Sequence, residues 1–304
     1  MEQIAPHRAR SLEEFGRIAS RLSSPEELAA GIAAYRPRAT DVVITPYGKC
    51  GTTWTQQIFH TLRTRGDLDF DDISRVVPWI ETAAVLGLDL EAPQKAEPRG
   101  FKSHLDYERI PKGARYIVPF RDPKDALVSA FRFMEGWMIE PGAIAIEDFA
   151  RNWIRRARHG GDIWRHLVSW WAARDEPNVL LLTYEHMLAD PALAIRRIAA
   201  FSGVPLDDQL LSLTLERSSL PFMLANKARF DDLLMRQASE ARCNIPPGGD
   251  SAKVRKGESG SARLELPPEI LGLLDEQWRT LVTPATGFDD YAAFEAAVRA
   301  LAAA

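Results

Sequence analysis

A short apolar run that ends in a glycine-rich turn and restarts as a helix leaves a chain few ways to fold, and residues 42–54 form such a segment. Val42-Val43-Ile44-Thr45 reads as a buried strand and runs into Pro46-Tyr47-Gly48-Lys49-Cys50-Gly51. Trp54, Ile58 and Leu62 then recur at helical spacing, which predicts a helix from Thr52 to about Arg65. A strand entering a helix through glycines is a phosphate-binding design. The glycines let backbone approach an anion, and the first N–H groups of the helix point at it. Lys49 adds a full charge, and the hydroxyls of Thr52 and Thr53 add donors. A glycine turn before an ordinary helix is the plain alternative. The nucleoside-triphosphate loop GxxxxGK[ST] does not match, because it needs glycine at position 43, where valine stands, and a lysine after Gly51 rather than before it.

The rest of the chain extends the α/β reading. Residues 11–35 read as helical: Ser11-Leu12-Glu13-Glu14 resembles a capping box, and Ser24-Pro25-Glu26-Glu27 starts a second helix with proline at its first position. Residues 100–104 form a short extended piece. Tyr116-Ile117-Val118 is a better strand, ending at Phe120-Arg121-Asp122-Pro123, where Asp122 can cap the next helix and Pro123 suits its first turn. Val179-Leu180-Leu181-Leu182-Thr183 is the clearest strand, followed by a helix over about 191–202. Strands alternating with helices imply a parallel sheet covered on both faces. The C-terminal third is mostly helical, with Trp278 and Leu281 closing one helix and residues 291–301 forming the last. Its exception, residues 244–260, is rich in proline, glycine, lysine and serine and reads as a long loop of the functional kind.

Composition narrows the function classes. The 304 residues carry no interrupting linker, so one domain over 1–304 is expected, with its motifs between about 40 and 265. A net charge of −4 argues against a nucleic-acid binder but leaves room for a local anion site. The two cysteines, Cys50 and Cys243, suggest neither a disulfide framework nor a CxxC site, and a reducing compartment fits. The first ten residues lack the apolar core of a signal peptide, and no apolar run reaches the ~18–20 residues of a membrane helix. A cytoplasmic protein without membrane insertion is expected. No Asp, Glu and His cluster at ligand spacing asks for a metal.

Tyr47-Gly48-Lys49-Cys50-Gly51-Thr52-Thr53-Trp54 resembles the 5'-phosphosulfate loop of the sulfotransferases that use 3'-phosphoadenosine 5'-phosphosulfate (PAPS). The usual form is YPKSGTTW, so Gly48 replaces proline and Cys50 replaces serine. Residues 116–129, from Tyr116-Ile117-Val118-Pro119-Phe120-Arg121 to Ser129, look like the family's 3'-phosphate segment, with arginine and serine eight residues apart. Arg121 there offers a bidentate fork to a phosphate. Lys102-Ser103-His104-Leu105 resembles the family's KTHLP. Leu182-Thr183-Tyr184-Glu185-His186-Met187 is similar to its YEDM, whose tyrosine contacts adenine. Val254-Arg255-Lys256-Gly257-Glu258-Ser259-Gly260 resembles its RKGxxG loop, which closes over the 3'-phosphate. Ser218 would match a family threonine, and Leu220 stands where an aromatic often packs near adenine. After RKGxxG the family often has aspartate and tryptophan, whereas this chain has Ser261-Ala262-Arg263. The dimer motif of animal cytosolic members is not visible, so the oligomeric state stays open.

The resemblance implies a P-loop-like sulfotransferase fold, α/β, with a central parallel sheet flanked by helices. It implies in-line transfer of a sulfuryl group from PAPS to a hydroxyl or amine of a small acceptor, leaving PAP (adenosine 3',5'-bisphosphate) and needing no metal. Lys49 would neutralise the departing oxygen, and the loop from Lys49 through Cys50, Gly51, Thr52, Thr53 and Trp54 would hold the 5'-phosphate. Arg121, Ser129, Arg255, Lys256 and Gly257 would hold the 3'-phosphate, with Tyr184, Ser218 and Leu220 near adenine. Lys102 would face the sulfuryl oxygens and His104 would be the general base. The remaining histidines, His7, His60, His159, His166 and His186, have no comparable context. Trp79, Phe133 and Trp137, with Ile80, Val85, Leu86, Met134 and Met138, lie in segments that border the acceptor, which suits a hydrophobic alcohol or phenol. Two rivals remain. A magnesium-dependent kinase is disfavoured by the loop order and by a strand ending in Arg121. A non-catalytic nucleotide binder is disfavoured by the presence of Lys49, Lys102 and His104 together.

Overall fold

The computed structural model describes residues 5–157, 162–249, 253–254, 257, 259–260 and 262–301. His159, Arg255 and Lys256 lie outside the described residues.

Four strands, β1 (Val42–Ile44), β2 (Gly100–Lys102), β3 (Arg115–Phe120) and β4 (Val179–Thr183), form a parallel sheet in the order β2-β1-β3-β4. Val43 stands against Phe101 and Tyr116, and Ile117 stands against Leu180. Every strand residue except Arg115 is buried, as expected of a parallel sheet covered on both faces. Successive side chains alternate between the faces. Val42, Ile44, Ile117, Leu180 and Leu182 pack with Ile58, Leu62 and Ile195 on one side. Val43, Tyr116, Val118 and Leu181 pack with Leu127, Trp164 and Trp170 on the other.

The first two strands are shorter than their sequence suggests. Thr45 N–H still donates to Ile117 O at 2.9 Å and Ser103 N–H to Ile44 O at 2.9 Å. The ladder then stops, because Pro46 has no N–H and His104 N–H turns to Glu81 Oε1 at 2.7 Å. At the opposite end, buried Asp41 accepts from Arg99 Nε at 2.9 Å and Nη2 at 2.7 Å, and from the Tyr35 hydroxyl at 3.1 Å. This pair ties the starts of β1 and β2. Removing one member of such a pair costs about 3–5 kcal/mol.

Helices begin where the caps allow. Ser24 and Glu27 form a complete capping box for the helix Pro25–Ala34. Ser11 caps Leu12–Ala19 with its side chain, but Glu14 accepts from Arg10 N–H rather than completing the box. Asp122 caps Pro123–Glu135 as expected. A short helix, Tyr184–Ala189, precedes the expected Pro191–Ser202 helix. Thr183 caps it through His186 N–H at 3.3 Å, and Asp190 then leaves helical geometry to cap the next one. The helix Pro268–Gln277 does not close at Trp278 and Leu281. It continues through a π-turn, Trp278–Val282, into Thr283–Thr286.

Candidate active site

All strands run the same way, so their C-terminal ends share one edge, where ligands of α/β sheets gather. Each end delivers a side chain singled out by the sequence. β1 leads into the loop 46–51, β2 ends on Lys102, β3 precedes Arg121, and β4 precedes Tyr184. They border one cavity of about 920 Å³.

The loop after β1 turns through left-handed backbone at Lys49 (φ 69°) and Gly51 (φ 91°). A Cβ on Gly51 would stand 3.0 Å from the Tyr184 ring, so glycine serves both the turn and the close approach. The helix Thr52–Thr64 starts with Thr55 N–H on Gly51 O at 3.0 Å, and the earlier N–H groups have no partner within the helix. Thr52, Thr53 and Trp54 line the cavity with Lys49 and Gly51, whereas Cys50 does not. Its N–H closes the turn on Tyr47 O at 3.2 Å, and its buried thiol lies 3.8 Å from Gly48 O. Burial pushes that thiol up to about 12. The Cys50 thiol is therefore packed inward, off the cavity wall.

Arg121 links two parts of the site. Its Nη1 donates to Lys49 O at 3.1 Å, and its guanidinium lies 4.4 Å from the Tyr184 ring centroid. Trp54 meets the Tyr184 ring edge-on, with 5.7 Å between ring centroids. Ser129, in the Pro123–Glu135 helix, lines the same cavity, as do Ser218, Leu220 and Gly257. Ser218 is buried and donates its hydroxyl to Thr214 O at 2.7 Å. Leu220 packs against Gly257, where an added Cβ would come within 3.1 Å.

Lysine side chains line the same cavity. Lys102 Nζ lies 3.9 Å from the Trp79 ring centroid, and Lys49 Nζ lies 4.1 Å from that of Phe133. Burial, with Lys253 next, pushes Lys49 down to about 7, and burial pushes Lys102 down to about 8. His104 Nδ1 bonds Pro46 O at 2.6 Å, so this nitrogen carries the proton and Nε2 is left as the acceptor. Burial and then Lys102 push the imidazole down to about 3, which keeps it neutral. Trp79 packs 5.0 Å from the His104 ring.

Trp79, Phe133 and Trp137 all line the cavity, joined by Val85 and Met134. Ile80 and Met138 are core residues, and Leu86 also lies off the wall. Trp137 is anchored through its Nε1, which donates to Ser239 Oγ at 2.8 Å. Phe15, Leu22 and Leu28 from the N-terminal segment and Phe149 and Trp153 from the helix Ile146–Ala157 complete the apolar wall. Sequence reading missed these, since apolar residues on amphipathic helices look alike whether they face a core or a cavity.

It also missed two charged groups, Asp232 and Lys253, which line the cavity beside Lys102. Asp125 had a signal, being in the same run as Arg121. Its carboxylate accepts from Gly260 N–H at 2.5 Å, Ala262 N–H at 3.0 Å and Ser259 Oγ at 2.9 Å. Glu185 accepts from Ser259 Oγ at 3.2 Å and from the Tyr291 hydroxyl at 2.6 Å. Together they anchor the end of the 244–260 segment to the first turns after β3 and β4.

The family model described as "Sulfotransferase domain" matches residues 39–284. The luciferin sulfotransferase of Photinus pyralis is 27% identical over 279 residues, 81% of this chain and 72% of that protein. Human sulfotransferase 2A1 is 31% identical over 199 residues, 62% of this chain and 68% of that protein. Retinol dehydratase, solved in a complex with retinol and PAP, has a TM-score of 0.68 at 20% identity, covering 91% of this chain and 96% of that one. A mouse sulfotransferase complexed with PAP has a TM-score of 0.65 at 21% identity, covering 92% and 94%. These two likenesses speak for the fold. A family match of such extent, over a parallel sheet whose strand ends gather on one cavity, makes this chain a member of the sulfotransferase family.

Proposed function

We propose that this sulfotransferase moves a sulfuryl group from PAPS to a hydroxyl or amine of a small hydrophobic acceptor, with His104 as general base. The observation that carries the proposal is one cavity in which a helix start, a cation cluster and an aromatic wall meet at Lys49, Lys102 and His104. The residues present fit a doubly phosphorylated nucleotide. The N–H groups of the first helical turn are open, Gly51 leaves room beside Tyr184, and Arg121 lies over that same ring.

Bound there, PAPS would supply the sulfuryl group. Thr52, Thr53 and the helix start would hold its 5'-phosphate. Arg121 and Ser129, with Arg255, Lys256 and Gly257, would hold the 3'-phosphate, and Tyr184, Ser218 and Leu220 would border adenine. Lys49 stands beside the 5'-phosphate position, and an anion there favours its charged form against burial. Lys102, itself buried, offers a second charge to the oxygens that gain electron density. His104 takes the acceptor proton at Nε2, because Nδ1 is occupied by Pro46 O. Burial keeps the imidazole neutral, and an anionic donor bound beside it would raise its basicity toward the working range. The aromatic wall supports a hydrophobic acceptor. Retinol dehydratase, on the same fold, is solved with retinol and with androsterone.

Two measurements test the proposal. Calorimetry should show PAP binding far more tightly than ADP or AMP, and equal affinities would remove the 3'-phosphate site. Incubation with PAPS and a panel of phenols, apolar alcohols and amines should yield product heavier by one sulfuryl group. Tight PAP binding without product from any acceptor would leave a nucleotide-binding protein.

A further inference from the structure

Lys102 does not face the cavity alone. Asp232 Oδ1 stands 3.9 Å from its Nζ, and the same oxygen pairs with Lys253 Nζ. Lys102 is 2% exposed and Asp232 is 8% exposed. The backbone at Asp232 forgoes two ordinary preferences. It sits at φ 51°, a left-handed conformation unusual for a residue with a Cβ. It also occupies the N-cap of the helix Leu233–Cys243, where an aspartate normally accepts from the helix N–H groups, yet its side chain makes no cap bond. The carboxylate is turned to the lysines instead. Strain of this kind persists where the surroundings hold it, commonly at functional sites.

The other charges near Lys102 are engaged elsewhere or oppose it. Asp72 accepts from Ser74 N–H at 2.8 Å and Leu234 N–H at 2.9 Å. Glu81 accepts from His104 N–H at 2.7 Å, and burial raises its carboxyl toward the neutral form. Lys49 and Lys253 are like charges, and His104 is neutral. Among the described residues, Asp232 is the carboxylate in ion-pair contact with Lys102.

We infer that Asp232 is a positioning residue of the transfer centre: its carboxylate holds the Lys102 ammonium charged and in place at the end of β2, and Lys253 sets how much of that carboxylate Lys102 receives. The catalytic meaning of the pair rests on the proposed function, whereas the pair itself is testable without donor or acceptor. The direction follows from the charges. Burial pushes Lys102 down to about 8 while Asp232 pulls it up and Lys253 pushes it further down.

The test is a pH titration of the Lys102 Cε resonance in protein carrying ¹³C-labelled lysine, assigned by its loss in Lys102→Arg. Asp232→Asn should lower the midpoint by about 1–3 pH units, the range for an opposite charge at such a distance. Asp232→Glu should restore it, and Lys253→Met should raise it. The alkaline limb of kcat should move the same way in each variant. The inference is overturned if Asp232→Asn leaves the midpoint in place or, should that variant not fold, if Lys253→Met does. Failure of the sulfotransferase reading would look different: no PAP binding and no product from the parent enzyme, with the titration shifts intact.

Discussion

The two halves of the cavity are built differently. The half proposed to take the donor is built mainly on short segments at strand ends: the loop after β1, Arg121 after β3 and Tyr184 after β4. The apolar half, proposed to take the acceptor, comes from segments far apart in the chain, with Phe15 and Leu22 near the N-terminus, Trp79 before β2, and Phe133, Trp137 and Trp153 after β3. Binding a phosphate demands N–H groups and cations in fixed positions, which a few adjacent residues must supply together. An apolar wall demands only area, and any element packed nearby can contribute it.

That contrast can be broken at the border, where the largest effect is expected. His104→Ala should lower turnover by ~10²–10⁴-fold, the usual contribution of a general base, while PAP affinity stays within about 3-fold. Product formation and calorimetry on the same preparation decide it. Full activity would dismiss His104 as the base, and lost PAP affinity would move it into the donor half.

Inside the donor half, Arg121→Ala should weaken PAP by ~10–100-fold and AMP far less, since charge-assisted bonds to phosphate are the interactions removed. Equal losses for both nucleotides would mean that Arg121 acts through its bond to Lys49 O rather than on the 3'-phosphate.

Inside the proposed acceptor half, Met134→Ala should raise the acceptor KM by roughly 5–10-fold, the scale of one to two buried methylene groups, and leave PAP affinity unchanged. A matching loss of PAP affinity would erase the boundary between the halves.

The smallest effect is expected at Cys50. Cys50→Ser should hold turnover within about 2-fold, because the side chain is 1% exposed and lies off the cavity wall. Lys49→Ala, measured alongside, should do far more damage, as it removes the charge proposed to stand beside the departing oxygen. Comparable losses from the two changes would show that the loop acts as a whole.

Much of the donor half was legible in the amino-acid order. The apolar runs of β1, β3 and β4, the Asp122–Pro123 helix start and the helix after Gly51 all follow from patterns a few residues long. Hydrogen bonding in a turn or a first helical turn is settled locally, so a local pattern predicts it. At Cys50 the local pattern does not say which way the side chain packs. Its motif position points to the phosphate, but the turn draws its N–H onto Tyr47 O and packs its thiol inward. The 184–189 helix was missed because one threonine cap and the break at Asp190 punctuate it, with no apolar period of useful length.

What no local pattern carried is the meeting of Lys49, Lys102, Lys253 and Asp232. They belong to the β1 loop, the end of β2, the 244–260 segment and the start of a late helix. Each is an ordinary charged residue in its own segment. They become a cluster only when folding brings those segments over one strand edge and removes the water between them. Against the upward push of burial, Lys253 and Lys102 then hold the Asp232 carboxyl below its usual range. Burial in turn brings Lys49 and Lys102 down toward neutrality, since a charge loses its hydration inside a fold and must be stabilised by whatever neighbour the fold provides.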